Sequence, residues 1–200
     1  MKTHTFRRTP HSSDGFTLVE LLVVISIIAV LAGAGFAAGN MAINKARSVT
    51  ALAACTSIEQ AINQHFTEYG TLPMKSITAV PVTTEKGGSG MEAIKALLGS
   101  NDTTSTELNP RSVKFLALRE GKAKKGGIIY TTGSPPVAEA IYDPWGGSYH
   151  IAFDDDFDEV VEATASGVLS KHSGRHVLVW SQGPDGVSGA GKPVDDVKTW

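Results

Sequence analysis

The feature that most constrains this chain is a long apolar segment near its N-terminus. From Phe16 to Ala38 the sequence contains a single ionisable residue, Glu20. Because about 20 apolar residues in a helix span the hydrocarbon core of a bilayer, this segment is long enough to cross a membrane. A charged side chain in such a segment is costly unless it is paired. We therefore expect Glu20 to have a partner and a specific role.

The six residues from Gly15 to Glu20 read Gly-Phe-Thr-Leu-Val-Glu. All six match the processing motif of type IV pilins and of the pseudopilins of type II secretion, and the N-terminus strongly resembles theirs. The resemblance implies that a prepilin peptidase cleaves between Gly15 and Phe16 and that the new Phe16 amine is methylated. It also implies that Glu20 pairs with that amine on a neighbouring subunit during assembly. A buried charge pair is tolerated when both partners are present.

The charges on either side of the apolar segment predict its orientation. The residues before it include Lys2, Arg7, Arg8 and one acid, Asp14, whereas the whole chain of 200 residues has a net charge of −2. By the positive-inside rule, the N-terminus stays in the cytoplasm. The resemblance implies a single-pass protein of the bacterial inner membrane whose C-terminal domain is periplasmic.

An ordinary secretory signal peptide is the alternative for this N-terminus. Ala32-Gly33-Ala34 is similar to a signal-peptidase site, so the chain could be a Sec-exported soluble binding protein cleaved near Ala34. However, the apolar segment is longer than the roughly 7–15 residues usual in a signal peptide, and Glu20 has no role there. The pilin-type interpretation is therefore favoured.

The sequence predicts four successive parts. Residues 1–15 form a leader peptide, 16–39 a transmembrane and filament-core helix, 40–70 an amphipathic half of the same helix, and 71–200 an extracytoplasmic globular domain. The spacing of apolar residues predicts one covered face on the amphipathic half. Its predicted members are Ile43, Ala46, Val49, Ala53, Ile58, Ile62, Phe66 and Tyr69.

The remainder predicts a short helix followed by β-structure. Met91–Leu98 has the pattern of an amphipathic helix, residues 101–106 of a polar loop, and residues 113–118 of a strand or a helical turn. Connections too short for crossover helices predict an antiparallel sheet, and the fold class is therefore α+β, with the long N-terminal helix packed on a small antiparallel β-sheet. The candidate strands are residues 128–132, 148–153, 159–163 and 176–180.

Three C-terminal segments carry a second resemblance. Residues 143–149 read Asp-Pro-Trp-Gly-Gly-Ser-Tyr, residues 180–186 read Trp-Ser-Gln-Gly-Pro-Asp-Gly, and residues 196–200 read Asp-Val-Lys-Thr-Trp. Each is similar to the corresponding segment of the major pseudopilins, the G-type, which makes this the closest branch of the superfamily.

In that branch the loop after the last strand holds Ca²⁺. The resemblance implies Asp185 as a ligand, with Asp195 and Asp196 as the other nearby acids. The family's second acidic ligand falls within residues 189–194, where this chain has Lys192 and no carboxylate. A lysine there would repel a cation, so calcium stays an expectation beside the alternative that Asp185-Gly186 is a simple turn.

A second acidic run starts like an EF-hand loop. Asp154, Asp156 and Asp158 have the right spacing, but Glu159 replaces the required glycine and Ala165 replaces the final glutamate. The run is therefore not an EF-hand. A solvated hairpin loop is the favoured interpretation, and incidental cation binding is the alternative.

Neither catalysis nor nucleic-acid binding is indicated. His150, His172 and His176 lie near serines and aspartates, but no nucleophile motif, P-loop, Cys-x-x-Cys or dinucleotide fingerprint is present. The basic run from Arg119 to Lys125 contains no aromatic residue. The single cysteine, Cys55, excludes an intramolecular disulfide.

The resemblance implies a structural subunit of a type II secretion pseudopilus that drives protein export. Its implied partners are further copies in a helical filament, the prepilin peptidase, the minor pseudopilins, and the assembly platform and ATPase. The alternative within the superfamily is a major or minor type IV pilus subunit for adhesion, motility or DNA uptake. The absence of a cysteine pair, common in pilus subunits, favours the pseudopilus.

Replacing Gly15 tests the cleavage site, because the peptidase requires a small residue there. We expect Gly15→Leu to retain the leader in nearly all chains, and Gly15→Ala to be processed poorly. Intact mass and N-terminal fragmentation of protein from native membranes measure both, with wild type beginning at methylated Phe16. Unchanged processing of Gly15→Leu would contradict the site, and a wild-type chain beginning near Gly35 would identify a Sec-exported protein.

Overall fold

A computed structural model of the chain describes residues 15–77, 80–165, 168–187 and 195–200. The chain divides into two compact units, Met1–Ile43 and Asn44–Trp200. The predicted leader before Gly15 lies outside the described residues.

The described part of the first unit is dominated by the start of one helix. This helix, α1, spans Leu18–Tyr69. By length and composition it can cross a membrane, and none of its most apolar window is buried. Large apolar side chains before Ile43 are exposed, including Leu18 and Leu31. Such a helix is consistent with single-pass anchoring in the inner membrane.

In the second unit, the last third of α1 buries a narrow face. The fully buried members are spaced by three or four residues, as expected for one face of a helix: Ala51, Cys55, Ile58, Ile62 and His65. Helix α1 ends at Tyr69, where Gly70 adopts a left-handed φ of 69° and its N–H donates to the Phe66 carbonyl over 2.8 Å.

The predicted apolar face of the amphipathic half is only partly correct. Ile58 and Ile62 are buried, but all four predicted members before them, Ile43, Ala46, Val49 and Ala53, are exposed. The predicted series fails because Ile58 lies five residues after Ala53, which corresponds to about 140° around a helix. Ile58 and the residues after it are therefore on a different face from the four members before it.

In the described residues of the second unit, α1 is followed by two short α-helices and eight strands. The helices are α2 (Gly90–Leu97) and α3 (Thr103–Leu108). The strands are β1 (Val82–Thr83), β2 (Gly127–Tyr130), β3 (Ala138–Tyr142), β4 (Tyr149–Phe153), β5 (Val160–Ala165), β6 (Val168–Ser173), β7 (Val177–Ser181) and β8 (Val197–Lys198).

The strands form one central sheet and two hairpins. The central sheet has the order β1-β4-β7-β8, and the hairpins are β2-β3 and β5-β6. Each pairing of these strands is antiparallel. A long helix followed by a small antiparallel sheet confirms the predicted α+β class.

The central pair β4–β7 is buried on both faces. One face belongs to the main core, in which Ile58 and Ile62 of α1 pack with sheet residues such as Ile151 and Val179. The opposite face forms a second core, where Trp180 is covered by the β5–β6 hairpin and Trp200. The sheet is therefore the middle layer between a helix and a hairpin.

Several elements differ from the sequence expectations. The predicted polar loop at residues 101–106 contains the start of α3, because the Asp102 carboxylate accepts the Ser105 N–H over 3.1 Å as a helix cap. Residues 113–118 form neither helix nor strand. Strands β3 and β6 were not predicted, because β3 continues from a proline-rich turn and β6 is rich in polar residues.

Truncating a buried side chain on the covered face of α1 tests this packing. We expect Ile58→Ala to lower the free energy of unfolding by about 2–5 kcal/mol, because it leaves a cavity in the main core. Ile43→Ala is the matched control and should change it by less than about 0.5 kcal/mol, since Ile43 is 53% exposed. Urea unfolding of the detergent-purified chain, followed by tryptophan fluorescence, measures both. Equal losses from the two substitutions would contradict the assigned face.

Candidate functional site

The predicted cleavage site lies directly before the first turn of α1. Gly15 and Phe16 are non-helical and exposed, with the Phe16 side chain 76% accessible. Nothing lies within 4 Å of the position that a Cβ atom on Gly15 would occupy. Among the described residues, the Gly15–Phe16 peptide bond is therefore open to an approaching protein.

Glu20 closes a capping box with Thr17 at the start of α1. The Glu20 Oε2 atom accepts the Thr17 N–H over 2.8 Å and the Thr17 hydroxyl over 2.7 Å. The Thr17 Oγ1 atom accepts the Glu20 N–H over 3.3 Å. This reciprocal arrangement satisfies N–H groups that have no partner within the helix. The sequence analysis included Thr17 in the processing motif but did not predict its role as a helix cap, although Thr-x-x-Glu is the sequence signature of such a box.

In the globular unit, a buried aspartate organises the turn after β3. Asp143 is fully buried, and its Oδ1 atom accepts three consecutive N–H groups, from Trp145, Gly146 and Gly147, over 2.7 to 2.9 Å. Asp143 Oδ2 also lies 3.0 Å from where a Cβ on Gly147 would be. The Asp-Pro-Trp-Gly-Gly run thus holds one carboxylate inside its own turn.

The same aspartate joins two of the segments that carry the second resemblance. The Ser181 hydroxyl donates to Asp143 Oδ2 over 2.5 Å, and Ser181 Oγ accepts the Gly183 N–H over 3.1 Å. The turn after β3 and the loop after β7 are therefore parts of one hydrogen-bonded cluster. Sequence reasoning noted both segments but did not predict that they touch.

The loop after β7 brings together the three predicted metal ligands. One carboxylate oxygen each from Asp185, Asp195 and Asp196 lies within 4.8 Å of the others. The loop after β7 and the segment before β8 lie side by side. Ser181 pairs with Val197, and the Gly183 backbone closely approaches the Asp195 carbonyl. Residues 188–194, including Lys192, lie outside the described residues.

These three carboxylates form an arrangement of oxygen donors only, which suits a hard cation such as Ca²⁺. The Asp195 Oδ1 atom is buried without a hydrogen-bond partner in the described part of the chain. Asp185 is exposed, and its Oδ1 atom accepts the Val187 N–H over 3.0 Å. The predicted simple turn at Asp185-Gly186 is thus present as well, with Gly186 at a φ of 68°.

The three histidines have separate surroundings. The His150 ring stacks on Trp180 at 5.3 Å, and burial lowers the pKa of His150. His172 Nε2 lies 3.0 Å from Ser170 Oγ, and His176 Nδ1 lies 3.3 Å from Asp154 Oδ2. Within the described residues these contacts do not combine a serine, a histidine and a carboxylate into one triad.

Breaking the Asp143 cluster tests its structural role. We expect Asp143→Ala to lower the free energy of unfolding by about 3–5 kcal/mol, because it leaves several N–H groups without an acceptor. Ser181→Ala removes only the hydroxyl contacts and should cost about 1–3 kcal/mol. Urea unfolding of both variants and of the double variant measures a coupling energy, expected between about 0.5 and 3 kcal/mol. Strict additivity would contradict the contact.

Comparison with known proteins agrees with the N-terminal geometry. Residues 11–36 match the family model described as the prokaryotic N-terminal methylation motif. No curated protein and no solved structure matches the chain significantly. The motif indicates a type IV pilin-like or pseudopilin precursor, a structural class whose members are processed by prepilin peptidase and assembled into filaments.

Proposed function

We propose that this protein is a structural subunit of a type II secretion pseudopilus, processed by prepilin peptidase and assembled into a helical filament that drives protein export. One observation carries the proposal. The methylation motif lies at the start of a membrane-length helix, with Gly15 and Phe16 exposed just before its first turn. The C-terminal resemblance to major pseudopilins favours the pseudopilus over the pilus.

The proposal divides the chain into functional parts. Residues 1–15 are removed as a leader, 16–39 anchor the subunit and later form the filament core, and 40–70 continue the helix into the periplasmic domain of residues 71–200. The basic residues of the leader hold the N-terminus in the cytoplasm. The new Phe16 amine is methylated after cleavage.

Assembly depends on the charge of Glu20. Its Oε2 atom is engaged by Thr17, whereas Oε1 makes no hydrogen bond within the described residues. The Phe16 amine of a neighbouring subunit pairs with this carboxylate, which neutralises both charges in the apolar filament core. The pair also fixes the register between subunits, because one amine meets one carboxylate.

The exposed apolar side chains of residues 16–36 provide the remaining contacts. Once the subunit leaves the bilayer, these side chains pack against the same segment of other subunits. A head-to-tail contact that does not close makes an open helical filament. The assembly platform, the ATPase and the minor pseudopilins are the partners that this mechanism requires.

We further propose that Asp185, Asp195 and Asp196 bind Ca²⁺ in the periplasm. The support is the approach of three carboxylate oxygens to within 4.8 Å and the buried Oδ1 atom of Asp195, which has no hydrogen-bond partner among the described residues. An ion there would hold the loop after β7 against the start of β8. The charge of Lys192 acts against binding, so the affinity depends on where that side chain lies.

A pair of Glu20 variants tests the assembly mechanism. Gln can still serve in a capping box but has no charge, so Glu20→Gln separates helix capping from charge pairing. We expect both Glu20→Gln and Glu20→Ala to be cleaved and methylated normally, and both to give a small fraction of the wild-type filament yield. Sheared-filament immunoblots and intact masses measure this. Wild-type filament yield from Glu20→Gln would contradict the charge-pair mechanism.

The same cells distinguish the two filament systems. If the subunit serves a pseudopilus, Glu20→Gln abolishes export of secreted proteins to the medium and leaves surface pili unchanged. Loss of surface pili with normal export would instead assign the protein to a type IV pilus.

A further inference from the structure

The loop between β4 and β5 holds a second group of three carboxylates. One oxygen each from Asp154, Asp156 and Asp158 lies within 4.8 Å of the others. Asp156 and Asp158 are exposed, but Asp154 is fully buried. The expectation of an entirely solvated hairpin loop is therefore wrong at Asp154, because the carboxylate follows a strand that is buried on both faces.

Only one oxygen of Asp154 is accounted for by protein contacts. Its Oδ2 atom accepts the Glu159 N–H over 3.1 Å and lies 3.3 Å from His176 Nδ1. Its Oδ1 atom is buried and has no hydrogen-bond partner among the described residues. Buried polar atoms nearly always have a partner, and an unpaired anionic oxygen is among the most costly exceptions. The buried Asp154 carboxylate thus lacks one partner, and it lies beside two further carboxylates.

We propose that Asp154, Asp156 and Asp158 bind a calcium ion. Ca²⁺ is bound at about 2.3–2.6 Å, so two oxygens on one ion are at most about 5 Å apart, and the three carboxylate oxygens, all within 4.8 Å of one another, satisfy this limit. A site of carboxylate oxygens suits Ca²⁺ rather than the softer transition metals. The ion offsets the repulsion among three like charges and gives Asp154 Oδ1 its partner. Waters and carbonyl oxygens complete the six to eight ligands.

The backbone supports the first half of such a loop despite its sequence. In an EF-hand the sixth position is a glycine that makes the sharp turn. Counting from Asp154, that position is Glu159, which has a φ of 62° and so adopts the left-handed conformation without a glycine. The loop makes the turn but lacks the final glutamate, so we expect weaker binding than in intracellular EF-hands.

This site is separate from the one at Asp185. Strands β4 and β7 are antiparallel, with Phe153 opposite Val177 and Tyr149 opposite Ser181. Asp154 follows the end of β4, whereas Asp185 follows the end of β7, so the two groups lie at opposite ends of the pair. About 14 Å of strand separates these ends. One ion cannot serve both.

The test uses the processed full-length chain in detergent, stripped with a chelator and titrated with CaCl₂ by calorimetry. All variants carry Asp185→Asn, so that only the hairpin site is measured. We expect one Ca²⁺ per chain, with a dissociation constant on the order of 10⁻⁴ to 10⁻³ M. Adding Asp156→Asn and Asp158→Asn should weaken binding at least tenfold. Adding Asp155→Asn, an exposed acid of the same loop outside the group, should change it less than threefold.

Folding and specificity are controlled in the same series. The near-ultraviolet circular dichroism spectrum without Ca²⁺ should be the same in each variant. If the double variant has an altered spectrum, the single substitutions Asp156→Asn and Asp158→Asn are measured in its place. The proposal is overturned if the Asp185→Asn chain shows no saturable Ca²⁺ binding at millimolar concentration. It is also overturned if Asp155→Asn weakens binding as much as the double variant, because that would reflect general loop charge.

Discussion

The pairing of β4 with β7 is the constraint on which the globular unit depends. Strand β7 alternates large apolar side chains between its two faces, and β4 adds Tyr149, Ile151 and Phe153 to one of them and Ala152 to the other, so neither face can be left to water. The last third of α1 covers the side with Ile151 and Val179, and the β5–β6 hairpin covers the side with Trp180. The order of the layers follows from this double requirement.

Carboxylates placed against backbone N–H groups recur through the chain. Glu20 accepts the Thr17 N–H at the start of α1, Asp102 caps α3, and Asp143 accepts three N–H groups in one turn. In each case a segment with no regular hydrogen-bond partner receives a charged acceptor from its own sequence. Asp143 also accepts a hydrogen bond from Ser181, which connects it to the loop after β7 that contains the predicted calcium ligand Asp185.

The sequence predicted the membrane-length helix, its end near Gly70, the α+β class and the cores of β4 and β7, because each depends on local apolar pattern. It also named Glu20, and it named Asp185, Asp195 and Asp196, whose carboxylate oxygens the structure brings close together. Several features escaped it, and two of them show why. The covered face of α1 was predicted only in part, because the exposed members of the predicted series, from Ile43 to Ala53, are apolar like Ile58 and Ile62 but lie on another face of the helix. The contact of Asp143 with Ser181 joins residues 38 positions apart, which no local pattern reports.

The capping box at the start of α1 gives Thr17 a constraint of its own. Its hydroxyl both donates to Glu20 Oε2 and accepts the Glu20 N–H. Valine has the same shape but no hydroxyl, and in its place Glu20 would lose one of the two bonds that orient its carboxylate. The Glu20 carboxylate therefore keeps both of its bonds only if residue 17 carries a short hydroxyl side chain.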